Sequence, residues 1–315
     1  MIIEEVPEHA AAKQPKNLVE LCQLYKTSTW FTGLSIKTKT EYERFILALL
    51  SSPYGLKPIT HITPRMADVI YAKVKEEHGI SQANVFLSVW KRIFEYADKY
   101  EYNPGKNPWK RVQTETTPRR KQAWTEEQVF NVIEHCVKTG RKGLAIAICL
   151  MYDTGQRPGD VMYLTYDKVK RDDLGVFVDV LQMKRKAQVA PALSKYTVGL
   201  LGGEEEVFKA EPGRFLVDGI KNLKALQHEF AAVRKELDLK GIQMRDLRRT
   251  ALTEMGGASD DEMISVSGHS NRDMLNIYSL RNRHKAFEAQ RIRHATRNSR
   301  LNQEFTSPTG AEETV

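Results

Sequence analysis

The feature that most constrains this chain is LAIAICLMY at 144–152, which is apolar on every side of a helix. A helix without a polar face must be surrounded by other elements, so the run predicts a central, fully buried helix with a domain built around it. The run is far below the roughly 20 apolar residues a bilayer span needs. The opening MIIEEVPEHAAAKQPK lacks the basic region and apolar run of a secretion signal. A soluble, cytoplasmic protein with no membrane partner is expected. Cys22, Cys136 and Cys149 are odd in number and form no CxxC pair, which fits a reducing compartment and argues against a disulfide framework or thiolate metal site.

With 315 residues, 41% of them apolar, the chain can bury two cores. The first is read over residues 17–113, after a flexible tail at 1–16. Asn17 caps a helix carrying Leu18, Leu21, Cys22 and Tyr25, and Tyr42, Phe45, Ile46 and Leu49 repeat that spacing in a second. Thr63 and Pro64 start a third, with Met66, Val69, Ile70 and Val74 inside and Gly79 at its end. A fourth runs from Ser81 with Phe86, Val89, Trp90, Ile93, Phe94 and Ala97, and NPGKNPW ends it.

Residues 114–122, TETTPRRKQ, are polar and basic and have no apolar period, so they predict an interdomain linker. Arg119, Arg120 and Lys121 are its candidates for phosphate contact. The second domain is read over 123–300. Thr125 and Gln128 form a capping box at its start. Between 175 and 193, Val176, Val178 and Val180 alternate with Phe177 and Asp179 before a basic turn, which predicts a hairpin. Helical signals resume near 220 and continue to about 300. The last fifteen residues, 301–315, are acidic and predicted to be disordered.

Formal charge is +8, from 48 Lys and Arg against 40 Asp and Glu. That balance suits a polyanion, nucleic acid ahead of a membrane surface. Four islands of the second domain carry groups suited to phosphate chemistry. In DTGQRPGDV, Gly155 can end the buried helix, Arg157 sits on the following turn, and Asp160 can brace it. In QMKRKAQ, Lys184 projects from the hairpin turn, although Arg185 or Lys186 is as well placed by sequence. In MRDLRRTAL, Arg245 and Arg248 stand three apart on one helical face, with Leu247 and Ala251 on the other. In SGHSNRDMLNIYSL, His269 precedes Tyr278 by nine residues. Met274, Leu275 and Tyr278 describe a single helix face, so Tyr278 taken alone reads as a core aromatic. The histidines are scattered, without ligand spacing for a metal.

TGQRPGD, a hairpin lysine, RDLRRT, and SGH followed by NIYSL stand in an order that resembles the tyrosine recombinases, the phage integrases and their relatives. The resemblance covers about 17–300. It implies a mainly α fold with a small antiparallel β-sheet, arranged as a two-domain DNA clamp: a helical core-binding domain and an α+β catalytic domain. It also implies Tyr278 as nucleophile, forming a 3′-phosphotyrosine, with Arg157 and Arg248 on the nonbridging oxygens. Lys184 is then the general acid, His269 a phosphate ligand or proton acceptor, and Asp160 the orienter of Arg157. Arg245 stands where the family most often has His; it can donate to phosphate but cannot act as a base near neutrality.

No metal, nucleotide or other cofactor is expected. The expected partners are double-stranded DNA attachment sites, a homotetramer linked by the basic segment 281–300, and accessory DNA-bending proteins. The helix bearing Lys91 and Arg92 is the candidate reader of base edges. With about sixteen residues before the first domain, the separate arm-binding module of larger integrases is not expected. The reading is therefore a site-specific recombinase, the integrase of a phage or integrated element. The alternatives are a chromosome-dimer or plasmid resolvase of the same chemistry, a non-catalytic DNA-binding regulator of the same fold, and a structural nucleoid protein.

Overall fold

Asn17 accepts a hydrogen bond from the backbone N–H of Glu20 at 3.0 Å and so opens the first helix of the computed structural model, which describes residues 14–103, 105–117, 120, 122–255 and 258–269. The chain divides into two units, Met1–Arg120 and Lys121–Val315.

The first unit contains α1 (Leu18–Thr27), α2 (Thr29–Thr32), α3 (Ile36–Leu50), α4 (Pro64–His78) and α5 (Ile80–Lys99). The sequence predicted four of these; α2 is a single turn too short to show a period. α5 is the spine: Phe86, Val89, Trp90, Ile93, Phe94 and Ala97 are all buried. It begins at Ile80, one residue before the predicted Ser81, with Gly79 at its N-cap. Trp109, on a short 3-10 turn after α5, stacks on Trp90 with ring centroids 6.0 Å apart. Val69 departs from expectation. It is 60% exposed, because α4 turns Ala67, Ile70 and Tyr71 inward instead; a β-branched residue one step off the buried stripe misleads a reading that counts apolar residues alone.

The predicted linker is partly docked. Glu115 pairs with Lys75, its N–H donates to the Tyr71 hydroxyl at 3.3 Å, and its carbonyl accepts from Asn84 at 2.8 Å. Glu115 is thus held against the first unit.

The second unit contains α6 (Glu126–Lys138), α7 (Lys142–Thr154), α8 (Pro158–Val161), β1 (Val169–Asp172), β2 (Gly175–Val178), β3 (Val180–Leu181), β4 (Gln188–Val189), α9 (Lys195–Leu200), α10 (Glu204–Lys209), α11 (Leu223–Glu236), α12 (Asp246–Glu254) and α13 (Asp260–Ser267). Both halves of the Thr125–Gln128 capping box form at the start of α6. α7, the all-apolar run, is buried from Leu144 through Met151 and packs against α6, α8, α9, α11 and α12. Cys136 and Cys149 lie in this core and Cys22 in the first; burial pushes their thiols up, to about 11, 12 and 12.

One hairpin was predicted between 175 and 193, and β3–β4 supplies it. The structure adds β1, which pairs antiparallel with β2 as Val169 opposite Val178 and Asp172 opposite Gly175. β1 escapes notice because three of its four residues, in VKRD, are charged and exposed. α9 and α10 also precede the predicted return of helix near 220; at six residues each they are too short for a periodic signal.

Candidate active site

Helix ends build the site. α7 stops at Gly155 in the left-handed region, φ 63°, and α13 stops in the same way at Gly268, φ 64°. The last carbonyls of a helix have no partner within it and carry its negative dipole end, so two such ends side by side call for donors and positive charge. Arg248 answers both. From α12 it donates to the Gly155 carbonyl at 2.9 Å and to the Ser267 carbonyl at 2.7 Å. Only 5% of it is exposed.

His269 follows at once. It is buried; its Nδ1 lies 2.7 Å from Ser267 Oγ, and its Nε2 lies 3.1 Å from the Arg248 guanidinium. An arginine donates only, so this contact favours the tautomer with lone pair on Nε2 and proton on Nδ1, donated to Ser267. Burial, then the charges of Arg248, Arg185 and Arg157, push the imidazole down to about 4. His269 is neutral near pH 7.

Arg157 precedes the single turn α8, with Pro158 as the first helical residue. Its guanidinium is 3.6 Å from a carboxylate oxygen of buried Asp160. The other oxygen of Asp160 accepts the Met183 N–H at 2.9 Å. One carboxylate thus ties the arginine turn to the lysine turn. Lys184 is exposed on that turn, whereas Arg185 is half-buried and near enough to His269 to depress it.

Arg245 and Arg248 do not share an environment. α12 begins at Asp246, with Arg245 at its N-cap and exposed, while Arg248 is buried. Both faces of this helix are covered: Leu247, Thr250, Ala251 and Leu252 are buried beside Arg248. The three-residue spacing placed the two arginines on one face, and the late start of the helix separates them.

Tyr278 lies outside the described residues, as do Arg119, Lys121 and the segment 281–300. Arg120 is half-buried. In the first unit Arg92 reaches the Trp30 carbonyl at 3.5 Å and lies over its ring, and Lys91 reaches the Val112 carbonyl at 3.4 Å. Both head groups are engaged within that unit.

Sequence reasoning missed Gln156 and Gln182. Both are fully buried. Gln182 donates to Gln156 Oε1 at 2.7 Å and to the Ser267 carbonyl at 2.8 Å; Gln156 donates to the carbonyls of Thr154 at 3.0 Å and Val266 at 2.7 Å. A signal was present for Gln182: it continues the inward parity of Val176, Val178 and Val180. Gln156 gives no such sign. Among the described residues no group of three or more His, Cys, Asp and Glu stands together as metal ligands, and no helix is long and apolar enough to cross a membrane.

Known structures share this fold. A lambda integrase dimer bound to a COC′ core site superposes with a TM-score of 0.66 at 19% identity, covering 84% of this chain and 77% of that one. A lambda integrase tetramer bound to a Holliday junction gives 0.68 at 17%, covering 86% and 83%. The Tn1549 transposon integrase with circular intermediate DNA gives 0.64 at 20%, covering 86% and 98%. No curated protein matches the chain. The model of the phage integrase family matches residues 122–285, just over half of the sequence and all of the site described above; the chain belongs to the phage integrase family.

Proposed function

We propose that the chain is a site-specific DNA recombinase, the integrase of a phage or integrated mobile element, that cuts and rejoins DNA through a 3′-phosphotyrosine. The observation that carries this reading is the buried guanidinium of Arg248 across two helix ends, beside neutral His269 and bonded to the Gly155 carbonyl two residues before Arg157. Such a cluster is preorganised to receive a phosphodiester.

In the proposed reaction the Tyr278 hydroxyl oxygen attacks phosphorus, the bond from phosphorus to the 5′-oxygen breaks, and the DNA 3′ end remains on the tyrosine. Arg157 and Arg248 stabilise the nonbridging oxygens of the pentacoordinate transition state. The turn carries Lys184, Arg185 and Lys186, but an arginine cannot release a proton near neutrality. That leaves Lys184 and Lys186, and the resemblance to the tyrosine recombinases assigns Lys184 as general acid for the 5′-oxygen, while Arg185 adds positive charge. His269 hydrogen-bonds the phosphate or accepts the Tyr278 proton. An entering phosphate offsets the three arginines that depress it, raising its basicity when a base is needed. Asp160 orients Arg157, and Arg245 contacts phosphate from the exposed end of α12.

The partners follow from the same reading. Residues 17–113 and 123–300 form the two domains of a DNA clamp joined through 114–122, with Arg119, Arg120 and Lys121 on phosphates and Lys91 and Arg92 on the base-reading helix. Four copies assemble on two duplexes through 281–300 in the cytoplasm, with DNA-bending proteins as accessories. The lambda integrase tetramer on a Holliday junction supports the assembly.

Covalent trapping tests the function. Nicked duplexes from the DNA flanking the gene are incubated with wild type or Tyr278→Phe and run on a denaturing gel. A DNA-linked band with wild type alone is expected, at nearly equal DNA affinity, since the substitution removes a hydroxyl and keeps the ring. An equal band from the mutant removes Tyr278 as nucleophile; specific binding without adduct supports the non-catalytic regulator.

A further inference from the structure

Gln182 directly follows β3 and continues the inward parity of Val176 and Val178 on β2 and Val180 on β3, all of them buried valines. A buried amide must find partners or destabilise the fold, and this one finds three, on two separate segments. Nε2 donates to Gln156 Oε1 and to the Ser267 carbonyl, and Oε1 accepts from Arg157 at 3.4 Å. With two carbonyl oxygens facing its nitrogen, the amide has one satisfied orientation. The backbone of the same residue closes the basic turn: its N–H donates to the Ala187 carbonyl and its carbonyl accepts from Lys186, both at 2.9 Å. Residues 183–186, Lys184 among them, therefore hang from Gln182.

Space enforces the contact. Gly268 has φ 64°, and a Cβ added there would lie 2.6 Å from Gln182 Nε2. The backbone before His269 approaches the amide as closely as a glycine allows.

We propose that Gln182, braced by Gln156, is a positioning residue that fixes the basic turn against Arg157 and the Ser267–His269 segment, so that the lysine proton reaches the departing 5′-oxygen. The proposal rests on the reading of Lys184 as general acid. Gln182 touches no reacting atom; it acts through the turn.

A leaving group that needs no proton separates positioning of the acid from general damage. Single-turnover adduct formation is measured on the nicked core-site duplex that wild type cleaves, synthesised with oxygen or with a 5′-bridging sulfur at the scissile link. A thiolate departs without a general acid, so Lys184→Ala, slowed on oxygen, recovers on sulfur. Gln182→Met, similar in size but without the amide, is expected to slow the oxygen duplex by roughly 30–100-fold and to cleave the sulfur duplex within about threefold of wild type. Arg157→Ala, lacking a phosphate ligand, stays slow on both. Equal slowing of Gln182→Met on both duplexes, or no slowing, overturns the proposal. Failure of Lys184→Ala to recover while wild type cleaves overturns the reading of Lys184 instead.

A DNA-free arm stands apart from the reaction. Amide hydrogen exchange of free Gln182→Met is expected to quicken at least about tenfold at the amides of Gln182, Lys186 and Gly268, with Leu144–Leu150 unchanged. Unchanged exchange at the turn overturns the positioning role whatever the DNA result.

Discussion

The guanidinium of Arg248 lies 3.1 Å from Nε2 of His269. A cation and a titratable ring this close, both buried, oppose protonation of the ring in addition to its desolvation. The same arginine holds the Gly155 and Ser267 carbonyls, so it cannot swing away without leaving two buried helix ends uncapped.

His269 is therefore expected to titrate at about 4 by NMR. Arg248→Met should raise that value only part of the way to 6.5, because burial is the larger cause and Arg185 and Arg157 remain. The stability consequence has a fixed sign. The unfolded ring takes its proton near 6.5 and the folded ring near 4, so the unfolded state binds more protons in between. Stability from this group is complete above about 6.5 and declines as pH falls toward 4, by on the order of 2 kcal/mol. Urea midpoints should follow that decline in wild type and flatten across this window in His269→Gln.

The two left-handed glycines separate a conformational penalty from a steric one. At Gly155 a Cβ would meet Ala251 at 3.5 Å, an ordinary contact, whereas at Gly268 it would meet Gln182 at 2.6 Å. Gly155→Ala is expected to lose about 1 kcal/mol, the strain of the left-handed region. Gly268→Ala should lose at least about 1 kcal/mol more by overpacking. Denaturant titration checks the ranking, and equal losses would mean that the Gln182 amide yields.

Much of this was legible because it is written in local patterns. The Asn17, Thr63 and Thr125 caps need only a polar residue ahead of an apolar stripe, and LAIAICLMY could only be buried. The arginine, lysine and histidine islands stood out because charged residues clustered at element ends. What sequence could not convey is which charge the tertiary fold would bury. Arg245 and Arg248 looked equivalent until α12 began one residue late, and Gln156 lies in a turn with no parity to mark it as inward. β1 was hidden by its charged, solvent-facing side chains, since its pairing with β2 is made by backbone groups that carry no residue signature.

Arg245 offers the clearest test of the departure from the family's usual histidine. The side chain is exposed at the N-cap of α12, so its proposed part is a phosphate contact from the rim. Arg245→Ala should weaken DNA binding similarly across sequences and lower the salt slope of log affinity by about one. Arg245→His then makes the contact conditional. An exposed imidazole titrates near 6.5, so below that pH the variant carries the lost cation and should bind core-site DNA nearly as wild type does. Above it the affinity should fall toward that of Arg245→Ala, while the wild-type arginine stays charged throughout. Fluorescence anisotropy at pH 5.5 and pH 8, at one ionic strength, reads the crossover. A His variant that binds like wild type at both values would remove Arg245 from the phosphate contacts and leave Arg157 and Arg248 to hold the anion.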